Sequence, residues 1–190
     1  MNKRTFAGGL GIAVFLLAAK SQAVEFTTVT PKGYVTHMAG DDWVVLGVQS
    51  KLPVAASSYQ IPDPADEGTP HSTNVVVSLY DLDTSKGREA FKTISKKYGV
   101  GEPKASRVGE WRVLEQSVSQ GGTRYVILDA YRAVADVTVA LRLAWPQLAA
   151  HSPGYDREMR KVFEGLLGSV RGELGPYKRR DGDVLRRPTR

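Results

Sequence analysis

The 190-residue chain has no cysteine, which excludes a disulfide framework, a thiolate zinc centre, an iron–sulfur cluster and a cysteine nucleophile. Any chemistry must come from oxygen and nitrogen groups. Histidine is scarce too: His37, His71 and His151 lie far apart, none at the four-residue spacing of a helical zinc pair, and no Gly-x-Ser-x-Gly elbow occurs. Long apolar runs are missing except near the start. With 42% apolar residues overall, a collagen-like, largely disordered or multi-pass membrane protein is excluded, and the length suits one domain.

What is present begins with a tripartite N-terminus: basic Lys3 and Arg4, an apolar stretch from Phe6 to Ala19, and the polar end Lys20-Ser21-Gln22-Ala23. This is the pattern of a secretory signal peptide, with Ser21 and Ala23 in the two positions that signal peptidase reads, so cleavage is expected after Ala23 and the mature chain starts at Val24. The apolar stretch is shorter than the ~20 residues of a membrane span and contains three glycines. A lipoprotein would need a cysteine at the cut. Lys3-Arg4 departs from a twin-arginine signal by its lysine. The expected location is the periplasm.

Export changes the charge argument. Removing Lys3, Arg4 and Lys20 from 26 basic residues leaves 23 against 20 acids, about +3 in place of +6. The last thirteen residues hold Lys178, Arg179, Arg180, Arg186, Arg187 and Arg190 against Asp181 and Asp183, so the rest of the mature chain is near neutral. The basicity belongs to the tail, and no nucleic-acid partner is expected.

Along the mature chain, a short strand is expected near residues 34–37, then a hairpin from runs 43–49 and 54–60. Residues 62–73 carry three prolines and three acids without apolar period and read as a long exposed loop. Residues 74–80 alternate, with Val75, Val77 and Leu79 on one face of a strand. A helix capped by Asp83 or Ser85 should follow, burying Phe91, Ile94 and Tyr98 and ending at Gly99. Runs 111–119 and 123–133 flank Gln120-Gly121-Gly122, a hairpin signal, and Val137 to Trp145 completes a three-stranded antiparallel meander. Ser152-Pro153 predicts the start of a second helix, in which Met159, Val162, Phe163, Leu166, Leu167 and Val170 form the apolar stripe while Arg157, Arg160 and Lys161 point away. Residues 24–171 then make one α+β domain, an antiparallel sheet of about six strands packed with two helices, and residues 172–190 a mobile basic tail.

The order of elements and the closing run Phe163-Glu164-Gly165-Leu166-Leu167-Gly168-Ser169-Val170 resemble the PsbP/DcrB-like α/β/α sandwich group, over about residues 30–171. Several exported immunity proteins that neutralise type VI secretion toxins look like this group. The resemblance implies binding and no catalysis, and it assigns no site residues.

Four constellations bear on function. Val75 to Tyr80 followed by Asp81-Leu82-Asp83-Thr84-Ser85 resembles the first motif of haloacid-dehalogenase-type phosphatases, with Asp81 as nucleophile and Asp83 as acid/base around magnesium. Such enzymes use a parallel sheet and a later lysine, whereas a strand end and helix cap account for the same residues here. The stretch also starts like a calcium loop but has Lys86 and Lys92 where glycine and a bidentate glutamate are required. The loop from Asp63 to Asn74 is the recognition candidate: its prolines lower the entropy lost on binding, and Asp63, Asp66, Glu67 and His71 are the candidate partner-binding residues. Trp43, Trp111 and Trp145 are expected in the core, and the tail's arginines offer a contact to anionic lipid.

The expectation is therefore a soluble, non-enzymatic periplasmic protein without cofactor or metal. It would bind another envelope or secreted protein, in particular a toxin that it occludes through the acidic loop and the nearby sheet edge. A magnesium-dependent phosphatase and an envelope-associated structural factor held by the tail are the alternatives.

Overall fold

Alternation of apolar and polar residues builds the centre of the molecule. In the computed structural model, which describes residues 23–63, 65, 71–96 and 104–177, strands β3 (Val44–Gln49), β4 (Val54–Ile61) and β5 (Thr73–Tyr80) form one antiparallel meander. Strands β6 (Lys104–Val108), β7 (Trp111–Gln120), β8 (Thr123–Val134) and β9 (Val137–Pro146) form a second. The two join where β5 pairs antiparallel with β9, giving a seven-stranded sheet in the order β3-β4-β5-β9-β8-β7-β6. Gly121 and Gly122, at φ 57° and 81°, make the tight turn between β7 and β8 that the Gly-Gly pair predicts.

The fold class is α+β, as expected, but among the described residues ten strands in two sheets replace the expected six or so in one. The second sheet holds β1 (Val24–Val29), β2 (Gly33–Ala39) and β10 (Arg171–Leu174), in the order β1-β2-β10. Here β1 extends the segment read as holding one strand, and β10 takes the first residues of the stretch read as tail into the fold by pairing Arg171–Leu174 with Thr36–Gly33. Strand β10 is largely polar and β1 mixes Val24, Phe26 and Val29 with polar residues; both pair with β2, a central strand with five buried residues. Strand β6 fills part of the stretch between the expected helix end at Gly99 and the run that starts at residue 111.

Helix α2 (Tyr155–Ser169) covers one face of the large sheet beside the small one. Met159, Phe163, Leu166, Leu167 and the following Val170 pack on Val139, Leu141, Leu143 and Trp145 of β9 and on Val126, Leu128 and Ala130, their cross-strand partners on β8. Its N-cap is Gly154, two residues beyond the predicted Ser152. Arg160, predicted to point away, reaches the sheet: its guanidinium donates twice to Glu115 on β7, both at 2.8 Å, and lies 5.9 Å from the Trp145 ring. Trp111 and Trp145 are buried as predicted, while Trp43 is only half-buried.

Helix α1 (Ser85–Lys96) lies on the opposite face, where Phe91 packs edge-on against Tyr80 and Tyr131. Its cap is Thr84, not Asp83 or Ser85: the Thr84 hydroxyl accepts from Gly87 N–H at 3.0 Å and donates to the Asp81 carbonyl at 2.9 Å. Tyr98 and Gly99 lie outside the described residues, as do residues 1–22 and the basic run from Lys178. Among the described residues no helix is long and apolar enough to cross a membrane.

Candidate functional site

Three pieces of chain converge beside α2. Strand β2 ends at Ala39 and turns through Gly40 to Asp42 into Trp43; β4 ends at Ile61 and leaves through Pro62 and Asp63; α2 presents Tyr155, Glu158, Met159, Val162 and Gly165. Between them lies a groove of about 720 Å³ with a largely apolar floor. The Ser169 hydroxyl accepts from Met38 N–H at 3.1 Å and donates to the Leu166 carbonyl at 2.8 Å, which fixes the far end of the groove. Beneath it, on the sheet side, Tyr59 meets the rings of Trp43, Phe26 and His37 at 5.9, 5.2 and 5.8 Å.

Of the loop residues, Asp63 turns inward. Its carboxylate lies 2.7 Å from Nε2 of His151, with both side chains more than nine-tenths buried. The His151 ring stacks on Tyr155 at 3.8 Å, and Ala65 N–H donates to Asp63 at 2.8 Å. Burial by itself would raise the Asp63 pKa, but hydrogen bonds from Tyr155, Ala65 and His151, with the charge of His151, outweigh it and hold the carboxyl below its ordinary range. The far end of the loop is tied down as well. Tyr155 bonds Thr73 at 2.9 Å, and His71 bridges Tyr125 at 2.6 Å and Thr123 at 2.9 Å. Asp63 and His71 thus clasp the two ends of the loop to α2 and β8; Asp66 and Glu67 lie outside the described residues.

Asp81 and Asp83 stand in the turn that starts α1, after a strand with antiparallel neighbours on both sides. The Asp81 carboxylate accepts from Asp83 N–H at 3.0 Å, and Asp83, 85% exposed, is 3.8 Å from Lys32. This is the geometry of a helix start. The strand before it, β5, pairs antiparallel with β4 and β9, unlike the parallel setting the phosphatase motif requires. The histidines are dispersed: His37 is buried between the sheets, with Nε2 2.7 Å from the Tyr59 hydroxyl, and burial lowers its pKa to about 4. Burial also raises the Tyr59 pKa to about 12, against a smaller opposing effect of Ser57.

The groove opens onto the edge of the large sheet. Trp43 leads directly into β3, and every residue of β3 is exposed, including Val44 at 52%, Val45 at 39%, Leu46 at 55% and Val48 at 59%. At the opposite edge β6 is also exposed throughout but carries Lys104 and Arg107.

No protein-family model and no curated protein matches the sequence. Among solved structures, the chain is similar to a protein of Bacteroides thetaiotaomicron VPI-5482, with 14% identity and a TM-score of 0.47 over 85% of this chain; it spans half the length of that one. It is also similar to the Ran-binding protein Mog1p of Saccharomyces cerevisiae, with 11% identity and a TM-score of 0.47 over 79% of this chain and 95% of that one. A third likeness is to LpqN of Mycobacterium tuberculosis, involved in cell envelope biogenesis, with 15% identity and a TM-score of 0.42 over 79% of this chain and 91% of that one. These are likenesses of chain arrangement only.

The sequence offered a signal for β3, an apolar run, but not for its standing at the edge, because an apolar run fits a central strand equally well. The groove had no sequence signal, since its walls come from three distant segments. Chemically the arrangement suits recognition: an open strand edge supplies backbone donors and acceptors, and an adjoining apolar groove with carboxylates supplies side-chain selectivity.

Proposed function

We propose that the protein is exported, cleaved after Ala23, and acts in the periplasm as a non-enzymatic protein-binding domain that pairs β3 with an extended segment of its partner. The observation that carries this reading is the exposure of Val44, Val45, Leu46 and Val48 on an edge strand of the seven-stranded sheet. An edge strand leaves one row of backbone N–H and C=O groups without ladder partners, and apolar side chains on it invite a further strand. Main-chain hydrogen bonds then give affinity, and pockets beside the edge give selectivity.

The partner is another envelope or secreted protein. A toxin neutralised by occlusion is the specific case that the resemblance to exported immunity proteins implies. The acidic loop stays in this reading through its start: it leaves β4 at Asp63, which lines the groove, and Asp66 and Glu67 follow Asp63 in the sequence.

The test compares wild type with V45K/V48K as bait for envelope extract, followed by hydrogen exchange on the purified complex. Protection gained across residues 44–49, with recovery lost in V45K/V48K, is the expected result. Equal recovery by both baits, or protection confined to other strands, removes β3 from the reading. Retention of the unprocessed product in the cytosol removes export.

A further inference from the structure

We propose that the groove beside α2 receives an arginine side chain from the partner segment that pairs with β3. This rests on the reading of β3 above and names the chemistry of its partner. The groove's 720 Å³ has room for more than one side chain. Among the described residues its lining contains Asp42, Asp63 and Glu158 and no lysine, arginine or histidine; cleavage after Ala23, itself in the lining, would put the α-ammonium of Val24 beside Ala39 at one end of it. Asp63 is already matched by His151. Asp42 and Glu158, both exposed, form no ion pair among the described residues, which leaves two carboxylates at the rim of an apolar floor of Met38, Ile61, Met159 and Val162 against the single ammonium of Val24.

That combination selects an amphipathic cation. A long basic side chain buries its methylene stem on apolar surface and delivers its charge to carboxylates at the rim. Arginine fits better than lysine because the half-buried Trp43 ring lines the same groove, and a planar guanidinium both stacks on indole and donates to two acceptors at once. The geometry also fixes where on the partner the arginine must stand. Asp42 and Trp43 immediately precede Val44, and a strand advances about 3.3 Å per residue, so the arginine lies within about two residues of the stretch that pairs with β3.

Gly165 is the position from which the groove can be filled. It stands inside α2, where glycine costs about 1 kcal/mol relative to alanine. A Cβ built on it would meet nothing within 4 Å, so no neighbour requires the missing side chain. Its effect is on the groove, whose wall it lines. A larger residue there fills the space without disturbing the core.

Labelled decapeptides of alternating valine and threonine, with one arginine, lysine, citrulline or glutamate at the end that would lie by Asp42, provide the probe, read by fluorescence anisotropy. The arginine peptide is expected to bind wild type at least about tenfold more tightly than the citrulline peptide, the range of a close charge pair. G165L and D42N/E158Q should erase that preference, with G165L unfolding no more easily than wild type. V45K/V48K should weaken all four peptides while keeping their ranking. An arginine preference absent from wild type, or unchanged in both G165L and D42N/E158Q, overturns the groove proposal; if V45K/V48K still weakens every peptide, the β3 reading stands. Lysine equal to arginine overturns the role given to Trp43. Failure of all four peptides to bind overturns the groove and the strand pairing together.

Discussion

The two edges of the seven-stranded sheet are built on opposite principles. Strand β6 carries Lys104 and Arg107, and Arg107 stands directly across from Arg112 on β7. A strand docking there would have to desolvate cations that already repel each other, which is how sheet edges are kept from pairing. Strand β3 has no charge at all and exposes four large apolar side chains. Its one concession is a bulge between Val45 and Gly47, which breaks the register at Leu46 and twists the edge locally. One edge of the same sheet is guarded and the other left open, and the open one adjoins the groove. The asymmetry argues for use of β3, because a chain that can place arginines on β6 has no physical obstacle to placing them on β3.

Both edges belong to one sheet, and the β8–β9 pairing beside the joint between the meanders tests its cooperativity with the largest expected effect. At the centre, Asp129 on β8 lies opposite Arg142 on β9; the guanidinium donates to the carboxylate at 2.7 and 2.9 Å, and Gln116 adds a bond at 3.1 Å. Asp129 is only 5% exposed. Asp129→Ala would remove the carboxylate that Arg142 and the Gln116 amide share, at a cost of about 3 kcal/mol. Denaturant unfolding should shift to a lower midpoint, with hydrogen exchange at β3 and β6 rising together. Loosening at one edge alone would mean that the edges belong to separate units.

A smaller effect separates the two sides by pH. On the β3 side, His37 is held neutral between Phe26 and Tyr59, its pKa lowered to about 4 by burial. The unfolded chain binds this proton near pH 6.5, so the native state has its full stability above that value and loses it as pH falls to about 4. The expected loss is about 3 kcal/mol between pH 7 and pH 4. Asp63 adds its own loss lower still, because its carboxyl titrates below the ordinary carboxylate range. Guanidinium unfolding of wild type and His37→Phe at pH 7.0 and 4.5 checks this. The gap between the two pH values should shrink sharply in the variant whatever its absolute stability.

How much of this was legible in the sequence depends on the range of the interaction. Period-two alternation located β5 and β9, Gly121-Gly122 located the β7–β8 turn, and the stripe from Met159 to Leu167 located α2, because each signal is local. Strand β10 was illegible because its residues are mostly polar, and β1, with Val24, Phe26 and Val29 among its six residues, because so short a mixed run does not show its partner; only β2 gives them one. The same reason hid the site. Nothing near Asp63 indicates that His151 will bury it, and a loop acid with prolines beside it looks the same whether it faces solvent or a histidine. Arg160 was misplaced because a helical wheel does not show that a long side chain at the margin of the apolar stripe can reach Glu115. The cap at Thr84 lay between two equally good candidates, and only the bond to Gly87 decides it.

The smallest effect on stability carries the sharpest test of the edge comparison. Lys104 and Arg107 are exposed, so K104V/R107V should change the unfolding free energy by no more than about 0.5 kcal/mol. It would nevertheless turn β6 into a second uncharged edge, and an unguarded apolar edge is a pairing site whatever the stability of the fold behind it. Sedimentation velocity over a concentration series should therefore show more self-association in K104V/R107V than in wild type, and V45K/V48K should show less. Combining the two pairs of substitutions exchanges the guarded and open edges, so association should persist while arginine-peptide binding is weakened as in V45K/V48K, because the groove lies beside β3 alone. If K104V/R107V stays as monomeric as V45K/V48K, charge is not what distinguishes the two edges, and the exposure of Val44, Val45, Leu46 and Val48 would need another cause.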